Sequence, residues 1–283
     1  MRLNDKLKGE NFTYIVEFPQ LRKRKDGKTE DHTFNELIEK VLTINGFIDY
    51  ISITESPSPN TFSNPIQTAK LAQYGSKKHP LPHLTIRDNT KSNMPILMEE
   101  LDGVDNVLIV QGDGYKPSEN HFKYSSELIN AIKKHNKTIS VGAAGNPWNL
   151  NKQDEIYTLK KKVDAGADFL ITQPIFSVNQ YNNYRDFLYT NGIEIPIIAG
   201  ILPIKNEKAV NFVDNNIKEI SIPDDVRDYA SSQNSEFYAR NHINTLISGL
   251  KKTDAKAVDI FSAGDAKFVR SLFDSSNEYK QTG

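Results

Sequence analysis

The sequence predicts an α/β protein in which eight strands alternate with helices and close into a (β/α)8 TIM barrel, with extra helices before the last strand. Three observations carry this. Apolar, β-branched runs bounded by turn residues recur at about 13–18, 48–54, 82–87, 106–111, 138–143, 168–173, 195–201 and 257–262. Most are apolar throughout rather than alternating, as strands of a parallel sheet buried on both faces should be. Seven of the runs end in polar or turn-forming clusters. These are Glu17, Ser52-Ile53-Thr54, His83 to Asp88, Gln111-Gly112-Asp113, Val141 to Pro147, Ile171 to Pro174 and Ala199 to Pro203. An open doubly wound sheet would gather ligand groups at one crevice. Polar tips on so many strands favour closure, which turns all of them toward one mouth.

The intervening segments read as helices. Phe34, Leu37, Ile38, Val41 and Leu42 follow the i, i+3, i+4, i+7, i+8 spacing of one helical face. Leu128, Ile129 and Ile132 repeat it in shorter form, and Phe176 to Leu188 carry a similar stripe. Residues 223–251 read as two helices inserted before the last strand. No linker or internal repeat interrupts the chain, so residues 1–283 are expected to form a single barrel domain, with 275–283 a disordered tail.

Composition excludes several function classes. The formal net charge of −1 lacks the basic surplus that nucleic-acid binding requires. With 0 cysteines the chain has no disulfide, thiolate zinc site or cysteine nucleophile. No apolar run reaches the roughly 18–20 residues of a membrane span. The first residues are polar rather than a signal core, so a soluble, cytoplasmic protein is expected. His32, His79, His83, His121, His135 and His242 form no ligand-spaced pair on one helix, so no metal is expected. Neither a Gly-x-Ser-x-Gly elbow nor a P-loop is present.

Glu17-Phe18-Pro19, His83-Leu84-Thr85, Gly112-Asp113, Val163 to Asp168 running into Ile171-Thr172-Gln173-Pro174, and Gly200-Ile201-Leu202-Pro203 resemble the methylenetetrahydrofolate reductase family. They stand in that family's order and approximate spacing, from about residue 13 to 273. Arg87-Asp88-Asn89 and Gly142 to Pro147 look like its branch often fused to, or encoded near, methionine-synthesis methyltransferases. The resemblance implies an FAD flavoprotein that uses NADH or NADPH to reduce 5,10-methylene-tetrahydrofolate to 5-methyl-tetrahydrofolate by ping-pong kinetics. The hydride chemistry would belong to the flavin. It also implies a homo-oligomer, with a methyltransferase or electron-transfer subunit as a further partner.

By the same resemblance Glu17 is the general acid that opens the imidazolidine ring; the alternative is a solvated strand-tip glutamate. The role needs a protonated carboxyl, and desolvation between Val16 and Phe18 can raise a glutamate's pKa. Asp113 matches an aspartate near flavin and pterin, or else is an ordinary Gly-Asp-Gly turn residue. Gln173 matches a pterin-binding glutamine, against a strand-end side chain that serves loop backbone. Thr54, His83, Gln111, Gly112, Tyr124, Ser125, Lys161 and Lys162 fall at FAD contacts. For His83 a satisfied core histidine competes with this, and for the lysines a solvated helix face does. Trp148 either stacks on adenine or covers the barrel rim. Phe212 is the candidate aromatic against folate, one residue out of the family register.

Several positions depart from the family pattern. Gln111 replaces an arginine or threonine, and Thr54 runs into Glu55-Ser56-Pro57 rather than Tyr-Gly. Asp265 stands in the slot of a substrate-contacting arginine. Two other functions therefore stay open: a one-carbon barrel that keeps the pterin pocket without flavin, as in a methyltransferase domain, and a flavin-binding partner subunit.

Arg22, Lys23, Arg24, Lys25 and Lys28 crowd the loop after the first strand. This is either a solvated loop or a local field that attracts the glutamate tail of folate or a nucleotide phosphate. On the second reading, neutralising these five residues raises the apparent folate constant more at low salt than at high. Initial-rate kinetics that show no salt-dependent change would leave only the first.

Overall fold

The computed structural model describes residues 1–20, 30–55, 64–150 and 153–274, with the side chains of 30–33 left aside. The basic loop of Arg22 to Lys28 and the tail 275–283 lie outside the described residues. The chain runs α1 (Leu3–Leu7), β1 (Thr13–Phe18), α2 (Glu30–Ile44), β2 (Tyr50–Ile53), α3 (Pro65–Ser76), β3 (His79–Thr85), α4 (Met94–Glu100), β4 (Asn106–Val110), α5 (Ser125–His135) and β5 (Ser140–Gly145). It continues through α6 (Gln153–Asp164), β6 (Phe169–Pro174), α7 (Val178–Thr190), β7 (Ile197–Ile201), α8 (Glu207–Asn216), α9 (Asp224–Ala230), α10 (Ser235–Leu250), β8 (Ala257–Phe261) and α11 (Ala266–Ser271).

The strands pair in sequence order into a closed barrel, every neighbour parallel, and β1 joins β8 through Ile15↔Asp259 and Glu17↔Phe261. The eight expected strands are all present, and α9 and α10 are the helices read between 223 and 251. No described helix is long and apolar enough to cross a membrane.

Side-chain alternation along the strands sorts the apolar residues into two bodies. Ile15, Tyr50, Leu81, Leu108, Phe169, Ile171, Ile198 and Ala257 face inward and fill the barrel axis. Their neighbours Val16, Ile51, Val107, Ile109, Val258 and Ile260 face outward into the larger core beneath the helices. Both faces of the strands are thus largely buried, which is why the strand sequences show so little alternation.

The five-residue helix α1 was not legible in the sequence, because so short a helix has no stability of its own. The barrel makes it. Leu3 and Leu7 are buried in the axial cluster. The backbone amide of Leu3 donates to Asn106 Oδ1 at 2.5 Å, and that of Asn4 to Ser140 Oγ at 3.0 Å. These acceptors, at the starts of β4 and β5, satisfy amides that the first turn of a helix leaves unpaired. The N-terminal end of the barrel is therefore stoppered, and open chemistry is confined to the other end.

Axial packing is asymmetric. A Cβ on Gly142 of β5 would lie 2.2 Å from the ring of Phe169, which is itself fully buried. Gly142→Ala is therefore expected to destabilise the fold by about 1–3 kcal/mol through overpacking. Gly46→Ala, where a Cβ meets nothing within 4 Å, should stay within ~0.5 kcal/mol of the parent. Urea unfolding midpoints of the two variants test the difference.

Candidate active site

Counting in steps of two from the axial residues places Glu17 on β1, Ser52 on β2, His83 on β3 and Asp259 on β8 toward the lumen. Ser52 Oγ lies 2.5 Å from His83 Nε2, and His83 Nδ1 lies 3.9 Å from Glu17 Oε2. One side-chain oxygen or nitrogen from each of Glu17, His83 and Asp259 lies within 4.8 Å of the others. The backbone carbonyl of Glu17 accepts from the amide of Ser262 at 3.2 Å and also from the Ser262 hydroxyl. Those bonds fasten the tip of β1 to the turn after β8, where Ala263 and Gly264 take left-handed φ values of 50° and 82°.

Burial sets the protonation of this cluster. It pushes the Glu17 carboxyl well above the usual glutamate range, and the charge of Asp259 adds to that. Burial also pushes Asp259 up to about 8 and His83 down to about 3. His83 is thus a neutral hydrogen-bonding imidazole, and the two acids hold protons toward neutral pH. Glu17 keeps 20% of its side-chain surface exposed whereas Asp259 has none, so Glu17 is the member a bound molecule can reach.

Asp259 and Ser52 were not singled out as site residues from the sequence. The signal for Asp259 was present: an acid at an inward position of an otherwise apolar strand, Ala257-Val258-Asp259-Ile260-Phe261. Glu55, just beyond β2, is a third buried acid. Its carboxyl accepts from the Thr85 amide and from Asn89 Nδ2, yet burial still lifts it to about 7. It lines a polar cavity of about 230 Å³ with Gln20, Asn64, Asp88, Asn89 and Glu100, beside the mouth.

The other sequence candidates divide by position. Gln111 and Asp113 are exposed at the tip of β4, and the Asp113 carbonyl accepts from Arg87 Nη1 at 3.4 Å. Gly112 between them has φ 86°, and a Cβ there would meet Thr85 Cβ at 3.0 Å, so the β4 loop passes directly over the β3 tip. Gln173 is half-buried where β6 shifts register against β7. Thr54 joins the tips of β1 and β2: its amide donates to the Phe18 carbonyl at 3.1 Å, and its hydroxyl accepts from the Gln20 amide at 3.2 Å.

Tyr124 precedes α5 with its ring 45% exposed, and Ser125 opens that helix buried. Lys161 Nζ sits 5.0 Å from the Tyr124 ring and 4.1 Å from the Tyr157 ring, so it is an outward cation beside the β4–α5 loop. Lys162 differs from its neighbour. Its ammonium donates to the Ala144 carbonyl at 2.9 Å, and burial lowers its pKa. Trp148 donates its indole N–H to the Pro174 carbonyl at 2.9 Å and packs edge-on against Phe176, bridging the β5 and β6 loops. Phe212 is 58% exposed on α8, whose buried face is Val210 and Val213. Asp265 caps α11 by accepting from the Phe268 amide at 3.0 Å and pairs with Lys205, which gives this departure from the family pattern a structural role.

Comparison with known proteins bears on what this mouth serves. The family model described as methylenetetrahydrofolate reductase matches residues 2–261. The 5,10-methylenetetrahydrofolate reductases of Buchnera aphidicola from Schizaphis graminum and of Escherichia coli are similar, at 37% identity over 148 residues and 35% over 139. Those alignments cover 50% and 47% of this chain, and the same shares of the two enzymes. The chain thus spans about half the length of curated relatives it matches. A second Buchnera reductase, from Acyrthosiphon pisum, is 30% identical over 187 residues, 63% of each chain. Among solved structures, an uncharacterized protein from Clostridium thermocellum that binds two copies of 5-methyl-5,6,7,8-tetrahydrofolic acid shares the fold. It has a TM-score of 0.70 at 17% identity over 95% of this chain and 96% of that one. With the family model matched along every strand of the barrel, this chain belongs to the methylenetetrahydrofolate reductase family.

Proposed function

We propose that the protein reduces 5,10-methylene-tetrahydrofolate to 5-methyl-tetrahydrofolate, with FAD as cofactor and NADH or NADPH as the electron source. The observation that carries this is Glu17: a carboxyl kept protonated by burial, at the reachable end of a closed barrel, in a chain of this family. Opening the imidazolidine ring requires a proton on the departing ring nitrogen. Glu17 donates it and leaves a 5-iminium carbon as the hydride acceptor. Asp113, an exposed carboxylate at the β4 tip, favours that cation through space. The Gln173 amide orients the pterin, and Phe212 supplies an aromatic face for the folate. Neutral His83, held by Ser52, offers a hydrogen bond without competing as a charge.

The residues present fit a flavin. Gly112 lets the β4 loop lie flat over the barrel, and Gln111, Tyr124 and Lys161 present polar, aromatic and cationic groups along one rim. Bound there, FAD would supply the two-electron hydride chemistry. Among the described residues Lys161 is a cation placed to meet its phosphates, and Tyr124 and Thr54 would flank the approach. Lys162 and Trp148 are tied to the carbonyls of Ala144 and Pro174, so their part is to hold the β5 and β6 tips. Those two committed side chains are also what favours the second reading, a folate barrel without its own flavin redox activity.

Colour separates the two readings. On the first, the purified protein is yellow, releases FAD on denaturation, is bleached by NADH or NADPH without oxygen, and is reoxidised by methylene-tetrahydrofolate. Glu17→Gln is expected to leave bleaching intact and slow reoxidation by about 10²–10⁴-fold. Equal loss of both half-reactions would remove Glu17 from its role.

A further inference from the structure

Asp259 has no part in the chemistry above, yet it is a fully buried acid. It lies on β8 beside Ile15 of β1 and Gly200 of β7, with 0% exposure, and neither carboxylate oxygen has a hydrogen-bond partner. The titratable groups that face it are Glu17 from β1 and His83 from β3. From β7 comes only Gly200, and the Ser52 hydroxyl of β2 is taken up with His83. His83 is no counter-ion, because burial keeps it neutral. Among the described residues no lysine or arginine forms an ion pair with Asp259. An enclosed carboxyl with no donor and no cation must carry a proton itself or share one.

We propose that Asp259 and Glu17 form an electrostatically coupled pair of acids, in which Asp259 is a positioning residue that keeps the proton on Glu17 until substrate takes it. This rests on the reading of Glu17 as the acid. One oxygen of each carboxyl lies within 4.8 Å of the other and both acids are shielded from solvent, so loss of the first proton opposes loss of the second. Glu17 alone reaches the mouth: it gives its proton to the substrate nitrogen and regains one from solvent. Asp259 never touches substrate. Its negative charge, whenever it forms, drives the proton back to Glu17.

Asp259→Asn keeps the volume and removes the charge. In this variant the alkaline limb of the pH profile for folate reduction should move down by about one unit or more. kcat then falls roughly tenfold at pH 8 while it holds at pH 6, and KM is unchanged. A purely structural role would instead lower kcat evenly across the range. Thermal stability supplies a readout free of activity. Asp259 titrates near 8 when folded and about 3.9 when unfolded, so its protonated form supports the native state fully below ~4 and loses that support as pH rises toward 8. The asparagine variant has no such loss, so its melting temperature should gain on the parent's between pH 4 and 8. An unmoved alkaline limb together with a pH-independent melting difference would overturn the pair. So would a stoichiometric divalent metal in the purified protein that Asp259→Asn loses. If the parent reduces no folate at any pH while the melting difference still grows, the function is wrong and the pair stands.

Discussion

When Ile15 pairs with Asp259 and Glu17 with Phe261, the first and last strands meet, and side chains in the lumen they close are shielded from solvent. The other features of the mouth follow from that shielding. Carboxyls that would ionise freely at the edge of an open sheet are held protonated, and an imidazole that would take a proton stays neutral. Closure also removes free strand edges, so every strand has a hydrogen-bonded neighbour on both sides. The seam is reinforced from outside by Ser262, whose amide and hydroxyl both hold the Glu17 carbonyl.

The stopper at the opposite end matters for the same reason. With α1 bonded to Asn106 and Ser140 and its leucines in the axis, that end of the barrel is covered. The apolar layer of Tyr50, Leu81, Leu108 and Phe169 then separates that end from Glu17 and Asp259. Holding polar groups without full partners weakens a fold. The barrel accepts this at the Asp259 layer and compensates with apolar packing along the strands.

The rim is built on another principle. Lys162, Trp148, Thr54 and Asp265 each spend their hydrogen bonds on neighbouring loops or helix ends, which fixes the strand tips. Tyr124, Gln111, Asp113 and Phe212 are exposed instead, and Lys161 holds its ammonium over the Tyr124 and Tyr157 rings. The family pattern names both sets together. It cannot separate them, because neighbouring lysines in one sequence run point in different directions on a helix.

Strand order, parallel pairing and the place of the inserted helices were all legible in the chain, because a strand buried on both faces must be apolar along its length, and that is written locally. Glu17 was legible too, as a charge that ends such a run. Asp259 carried the same kind of mark within β8, but its meaning depends on Glu17, more than two hundred residues away in sequence and brought beside it only by closure. Likewise the helix of Leu3–Leu7 exists because the barrel floor accepts its amides, and the different fates of Lys161 and Lys162 depend on which faces a strand carbonyl. Local patterning settles which segments are buried; burial shared between distant segments settles which acids keep their protons. The second is a property of the solvent-free space between strands, and no stretch of sequence contains that space.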